Sequence, residues 1–500
     1  MTETIVLGLD GANWDLLEPW LESGDLPNVQ ALREEGTWSD MESCPPPVTC
    51  PNWRCYSTGK NPGKLGVFWW EKIDTENRTL TTPTSRSFKS SNYWDYLNDA
   101  GKTVGIMNLP MSYPTFEVDG WMVAGGPGSE QDDYTYPEAL EDELEERDYR
   151  LHPKIPVTSN EDHEAASALV DLIDERFETF RELLSDRPVD VAHLTVFYIN
   201  VLQHFFWRDD VTKRGWQVID EHIGEIRDAY PDATLYLMSD HGCTDVDTVF
   251  HANSWLEREG YLVTETGASD TFSKFGINKK RVSQLAHRLG VHGLITSLTP
   301  ESVKDAVPED EEGFKREQKL DKVDWERSDA IASGQGLIYL IDDSRTEELV
   351  RDLEKLERGG KPIASAVYTR EGAYEGEFVD EAPNVIFDQR EGVHTSGAIG
   401  DNPVFSDAGK WKAENVRTGL FLATGADTQD ESLNNTMSIT DVAPTLLHQL
   451  GVAVPTDMDG EPQLTGGRSV ASREPIPFAS IDESADDEVA ARLEDLGYLE

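Results

Sequence analysis

Residues 4–17 read TIVLGLDGANWDLL. Ile5 to Leu9 carry no charge, the pattern of a strand buried on both faces, and Asp10 and Gly11 stop the run. The same grammar returns twice. VDVAHLTVFYI (189–199) reads as a long buried strand followed by Asn200 and His204, and ATLYLMSDHG (233–242) as a third ending in Asp240 and His241. GKTVGIMNLP (101–110) holds a strand over Thr103–Asn108, and GLIYLI (336–341), PNVIF (383–387) and TGLFLATG (418–425) add further apolar strands. Helices fall between them. LPNVQALREEG (26–36) stops at Gly36, ALVDLIDERFETFRELLSDR (168–187) has helical apolar spacing, and SITDVAPTLLHQLG (438–451) is a capped amphipathic helix. Alternating buried strands and helices predict an α/β fold, a mostly parallel sheet with helices on both faces. In such a sheet, sites form at the carboxyl ends of strands, where Asp10, Asn200, His204, Asp240 and His241 fall.

The 500 residues exceed one compact core, so two or three domains, or one large α/β domain with insertions, are expected. Two stretches break the alternation: a polar, acid-rich segment near 75–165, and a lysine-bearing helical segment over 266–323 that reads as a cap. The catalytic body is expected over 1–265 and 324–470, with the 75–165 insertion inside it. A tail, 471–500, closes on DDEVAARLEDLGYLE, a short amphipathic helix suited to docking on the body or on a partner.

Ninety-five acidic residues face 44 basic ones, a net charge of −51. A surface of that sign excludes nucleic-acid binding through a basic face and docking on anionic lipid. The acids are spread along the whole chain, which resembles the proteins of halophilic archaea. No run approaches the ~18 apolar residues of a membrane span, and no charged-then-apolar leader opens the chain, so a cytoplasmic protein is expected. The four cysteines (Cys44, Cys50, Cys55, Cys243) match no zinc template and read as small buried residues near a tight site.

The segment CPPPVTCPNWRCYSTGKNPGK (44–64) sets Thr49 among prolines, just ahead of a helix. Each candidate has a plain alternative. Asp10 is equally well a helix N-cap, the Asp-His-Gly turn structural, His204 a core histidine, and Thr49 a turn residue. Their combination in this order is far more specific. The stretches VLGLDGANWDLL, LPNVQALREEG, PPPVTCPNWRCYSTGKNPGKLGVF, LTVFYINVLQHFFW, LYLMSDHG, VDWERSDAIASGQGLIYLI, TGLFLATG and ITDVAPTLLHQLGV run in order from near residue 4 to residue 456. Together they resemble the type I phosphodiesterase/nucleotide pyrophosphatase branch of the alkaline phosphatase superfamily.

That resemblance implies a three-layer α/β/α sandwich with inserted cap segments and a two-metal site. One ion, zinc or manganese, would be held by Asp10, Thr49, Asp240 and His241. Thr49 would be the nucleophile, and the following helix N-terminus would face the phosphate. The sulfatase branch carries its modified cysteine at the place of Thr49, so Cys50 is not the nucleophile. For the other ion the family has an Asp, a His and a second His, where this chain has Asn200, His204 and Asn415. Two amides suit magnesium or calcium better than zinc, so this site is expected to hold a harder ion, to stay vacant, or to recruit His394 or His251. Leu65 replaces a His common in relatives. Arg54 and Lys60 are the nearest candidates for phosphate contacts, with surface charge as the alternative for both. The implied activity is hydrolysis or transfer of phosphoesters, above all diesters, through a phospho-threonine. The implied substrate is a phosphorylated small molecule, nucleotide or glycan. A degenerate relative that binds such a ligand without turnover is the alternative of a different class. Phosphoglycerate mutase or sulfatase-like chemistry on the same scaffold is the third reading.

Overall fold

The computed structural model describes residues 2–126, 129, 132–264, 317–425, 433 and 436–478. Most of the helical segment expected over 266–323, and the expected C-terminal helix, lie outside the described residues.

The opening run is strand β1, Thr4–Leu9, buried at every position. It sits inside a nine-stranded sheet with β2 (Thr37–Glu42), β3 (Val104–Pro110), β4 (Gly120–Gly125), β5 (Thr135–Tyr136), β6 (Val191–Val196), β7 (Thr234–Met238), β10 (Thr418–Thr424) and β11 (Met437–Ser438). The strand order is β11-β2-β10-β7-β1-β6-β3-β4-β5. The central five, β7-β1-β6-β3-β4, are mutually parallel, and β10 and β5 join their edges antiparallel. A separate antiparallel ribbon of β8 (Gly242–Asp245) and β9 (Ala413–Val416) stands next in sequence to β7 and β10.

Helices cover the sheet, which is why its central strands read as unbroken apolar runs rather than alternating ones. In chain order they include α1 (Trp14–Glu22), α2 (Pro27–Glu35), α3 (Thr49–Thr58), α4 (Tyr93–Asp99), α5 (His163–Asp186), α6 (Tyr198–Phe205), α7 (Asp210–Ala229) and α8 (Val442–Gln449). One layer is built by α2, α5, α6 and α7, and another by α3, α4 and α8. The caps are those the sequence announces. Gly36 ends α2, and a Ser438–Asp441 capping box opens the turn that leads into α8. Among the described residues, no helix is long and apolar enough to cross a membrane.

The structure departs from the sequence reading at three places. The run 189–199 is not one strand: β6 stops at Val196, and Tyr198 begins α6. Every residue of α6 is buried, and a continuous apolar run does not separate buried strand from buried helix. The segment 75–165 does not lie wholly outside the sheet, because it supplies β3, β4 and β5. The strands Leu337–Leu340 and Val385–Gln389 belong to a second, antiparallel sheet with Ala330–Ala332 and Ala364–Thr369. That sheet has its own apolar core around Phe250, Trp255, Ile338 and Phe387.

Candidate active site

Three neighbouring strands, β7, β1 and β6, deliver the candidates to one edge. Register pairs Gly8 with Met238 and Leu9 with Val196, so two residues past the Gly8–Met238 pair Asp10 stands level with Asp240. Asp10, Asp240 and His241 present donor atoms all within 4.8 Å of one another, and all three are buried. His241 Nε2 lies 3.2 Å from Asp240 Oδ2 and 3.8 Å from Asp10 Oδ1. Thr49 Oγ1 is 3.4 Å from Asp10 Oδ1 and 3.4 Å from His241 Nε2.

The electrostatics say what this cluster lacks. His241 Nδ1 lies 2.9 Å from the Gly242 carbonyl, an acceptor, so Nδ1 carries the proton and the Nε2 lone pair faces the carboxylates. Acceptors therefore point at acceptors. Among the described residues, no Lys or Arg pairs with Asp10 or Asp240. Burial pushes the Asp240 carboxyl up to about 7. Burial, and then the charge of Asp240, hold Asp10 well above the ordinary carboxylate range. Burial lowers the His241 imidazole. Two carboxylates, an imidazole lone pair and a hydroxyl, buried together without a compensating cation, are a donor set for a divalent ion. Their separations suit it too, since bonds of ~2 Å in a tetrahedron put ligand atoms roughly 3.3 Å apart.

The loop carrying Thr49 is held from within. Asn52 Nδ2 donates to the carbonyls of Pro46 (2.9 Å) and Val48 (3.0 Å), and its Oδ1 accepts from the Cys44 amide at 2.8 Å. Cys50 has extended backbone (φ −102, ψ 114), so Thr49 rides ahead of the helix that continues from Pro51. Trp53 Nε1 donates to Asp10 Oδ2 at 2.8 Å, and its ring crosses β1 where a Cβ on Gly8 would come within 2.4 Å. The Gly11 amide donates to Asp240 Oδ1 at 3.2 Å. Sequence reasoning missed Asn52, Trp53 and Gly8. A glycine inside an apolar strand marks close approach and was the one available signal.

Asn200 and His204 lie one turn apart on buried α6, and Asn415 lies on β9 opposite Cys243. His204 Nδ1 is 2.8 Å from the Ala413 carbonyl, and its ring stacks on Trp411 at 3.9 Å. His394 pairs with Glu414, and His251 bonds the Ser406 hydroxyl at 3.0 Å. Among the described residues, only Asp10, Asp240 and His241 group three His, Cys, Asp or Glu donors within 4.8 Å of one another. Arg54 is buried with its guanidinium 4.8 Å from the Phe88 ring centre, and Lys60 pairs with Asp457. Both are buried rather than spread on the surface, and Arg54 Nε and Nη1 have no hydrogen-bond partner. Leu65 is buried. No disulfide forms: Cys50, Cys55 and Cys243 are buried free thiols and Cys44 is half-buried.

No curated protein sequence matches this chain. Among solved structures, phosphonoacetate hydrolase from Sinorhizobium meliloti 1021 in complex with phosphonoacetate is similar at 13% identity, covering 88% of this chain and 94% of that one, with a TM-score of 0.56. An inactive variant of murine ectonucleotide pyrophosphatase/phosphodiesterase 5 in complex with AMP is similar at 13% identity over 91% of this chain and 96% of that one, with a TM-score of 0.51. Likeness at that identity shows the fold, an alkaline-phosphatase-like α/β sandwich. The model of the type I phosphodiesterase / nucleotide pyrophosphatase family matches residues 4–416, and this chain belongs to that family.

Proposed function

We propose that the chain is a metal-dependent phosphoester hydrolase, acting on diesters in which a phosphorylated small molecule, nucleotide or glycan supplies the leaving alcohol. One observation carries the reading. The buried Thr49 hydroxyl lies 3.4 Å from both Asp10 Oδ1 and His241 Nε2, inside the cation-ligand cluster. Thr49 Oγ attacks phosphorus, the bond to the leaving oxygen breaks, and a phospho-threonine forms. Water then attacks phosphorus and returns Thr49. The hydroxyl hydrogen points at Asp10 Oδ1, and the loop tied by Asn52 holds the nucleophile in place. A divalent ion on Asp10, Thr49, Asp240 and His241, zinc or manganese by ligand type, supplies a lowered hydroxyl pKa and offsets charge on the phosphoryl group.

A cavity of about 190 Å³ lies near this loop. Phe68, Trp69, Lys72, Lys89, Tyr339 and Phe378 are among the residues that line it. The Trp69 carbonyl accepts the thiol of Cys50, the residue after Thr49, at 3.7 Å. None of the Asp10, Thr49, Asp240 and His241 side chains lines the cavity, and Cys50 is the link between the two.

The test is turnover of bis(p-nitrophenyl) phosphate in concentrated salt. Thr49→Ala and EDTA should each abolish it. A wild-type rate equal to that of Thr49→Ala, with every common divalent ion, would end the proposal. A second reading, ligand binding without turnover, is favoured by Asn200 and Asn415 standing where the family has an aspartate and a histidine. It calls for phosphate binding by a protein that hydrolyses no ester under any of those conditions.

A further inference from the structure

The resemblance implies a second cation beside α6, and the residues there do not fit one. The reason lies in Gln203. Trp216 Nε1 donates to Gln203 Oε1 at 3.2 Å, so the Gln203 amide nitrogen faces the other way. There it donates to the Gly11 carbonyl at 3.0 Å and to Asn200 Oδ1 at 3.1 Å. A flipped Gln203 would set its NH₂ against the indole N–H and its oxygen against the Gly11 carbonyl, two repulsive contacts. The partners therefore fix the assignment. Asn200 is fixed in turn, with its oxygen against Gly11, where an added Cβ would come within 2.2 Å.

The amide oxygen, the one atom of Asn200 able to hold a cation, is turned to Gln203 and accepts one hydrogen bond there. What remains is Asn200 Nδ2, fully buried and without a hydrogen-bond partner. A buried unsatisfied donor costs on the order of 1–3 kcal/mol, so it calls for a ligand. The positive end of an amide dipole repels a cation and suits an anionic oxygen. Glu414, the carboxylate on β9, is occupied by His394, Gln335 and the backbone amide of Asn415. Asn415 contributes no charge, and its Oδ1 is likewise buried without a partner.

We propose that this chain holds a single divalent ion, and that Asn200 Nδ2 binds an oxygen of a tetrahedral oxyanion where the family has its second cation. The inference rests on the reading of Thr49 above only for the identity of that oxyanion as a phosphoryl group. Gly11 connects the two halves of the site, since its amide holds Asp240 while its carbonyl holds Gln203.

The test is metal content and anion binding, neither of which needs turnover. Chelator-stripped wild type titrated with Mn²⁺ or Zn²⁺ should take up one equivalent, and Asn200→Ala should also take up one. Inorganic phosphate should bind the one-metal wild type, and Asn200→Ala should weaken it roughly 10- to 100-fold, the range of one hydrogen bond to a charged group. Asn200→Asp, the same size but an acceptor, should weaken phosphate at least as much and keeps the test alive if the alanine variant does not fold. Asn200→Asp with Asn415→His should raise uptake to two equivalents. Two equivalents in wild type, metal lost with Asn200→Ala, one equivalent in the double variant, or phosphate affinity unchanged by either single variant overturns the proposal. A wild type with one ion and phosphate bound but no ester turnover would sink the proposed function alone. One with two ions and full turnover would sink this inference alone.

Discussion

Replacing Trp53 with Phe removes one hydrogen bond and keeps most of the ring packing over Gly8. The lost bond, Trp53 Nε1 to Asp10 Oδ2 at 2.8 Å, is buried and charge-assisted once Asp10 is ionised. Asp10 is held well above the usual carboxylate range by burial and by Asp240, while the Trp53 bond pulls the other way. In the metal-free protein burial and the charge of Asp240 disfavour the Asp10 carboxylate, the form to which the indole bonds best. Binding a cation requires the carboxylate, so the bond strengthens as the metal enters. A hydrogen bond to a charged group contributes about 1.5–3 kcal/mol, and at about 1.4 kcal/mol per decade that is roughly 10- to 100-fold in metal affinity. The same range is typical for groups that orient metal ligands from outside. Competition against a graded chelator reads it directly. Trp53→Phe should bind Mn²⁺ or Zn²⁺ 10- to 100-fold more weakly, recover its rate at saturating metal, and need a higher pH for half-saturation. An affinity within threefold of wild type, in a protein with a normal melting curve, would refute the role given to Trp53.

The pH dependence has a definite sign. The Asp240 carboxyl titrates at about 7 in the folded chain against an ordinary 3.8, so the folded state binds that proton more tightly. Its contribution to metal-free stability is full below the unfolded value and is lost as pH rises through about 7. Metal-free protein in concentrated KCl should therefore melt lower at pH 8 than at pH 5.5, with divalent metal restoring it at pH 8, and a rising metal-free melting temperature counts against the buried acid pair. Metal affinity should fall below pH 7 as protons compete for Asp240 and Asp10, visible as proton release on binding in weakly buffered solution. With a net charge of −51, an anionic substrate is repelled in dilute buffer and less so as salt screens the surface. KM for bis(p-nitrophenyl) phosphate should then drop from dilute buffer to concentrated KCl, and a flat or rising KM contradicts it. Gly11→Ala meets a φ of +68 and an Asn200 oxygen 2.2 Å from the new Cβ. It should lose about 1–3 kcal/mol of stability and most of its turnover, and wild-type melting with a wild-type rate would show that Asn200 moves freely.

Asp10, Asp240 and His241 could be read before any coordinates because their positions depend on one local rule. An apolar run that stops at a polar residue marks a strand's carboxyl end, and parallel strands gather those ends at one edge. Thr49 could be read because prolines and a helix start flank it. The 189–199 run was misjudged for an equally local reason, since burial on all sides erases the periodicity that separates strand from helix. The second sheet escaped for a different cause. Leu337–Leu340 and Val385–Gln389 look like any buried strand, and nothing in them states which sheet they join. Trp53 lay beyond reach because its partner is 43 positions away in sequence and becomes a neighbour only when Gly8 lets the ring cross β1.

Asn200 shows why residue type alone misleads at a site. In the sequence N-V-L-Q-H, residues 200–204, Asn200 and His204 fall at a spacing where ligands sit, and an amide oxygen is an acceptable ligand for a hard cation. Which atom of an amide faces the site is set by its hydrogen-bond partners, and those come from elsewhere. Trp216, on the next helix, orients Gln203; Gln203 and the Gly11 carbonyl then orient Asn200. Each link is a donor meeting an acceptor, and reversing any one of them creates a like-with-like contact in a dry interior, where that is most costly. The direction of the chain thus passes from an indole N–H, which can only donate, to a buried amide NH₂ left without a partner. A carboxylate at residue 200 could not end that chain with a donor, so Asn200→Asp inverts the polarity of the pocket while leaving its shape almost unchanged.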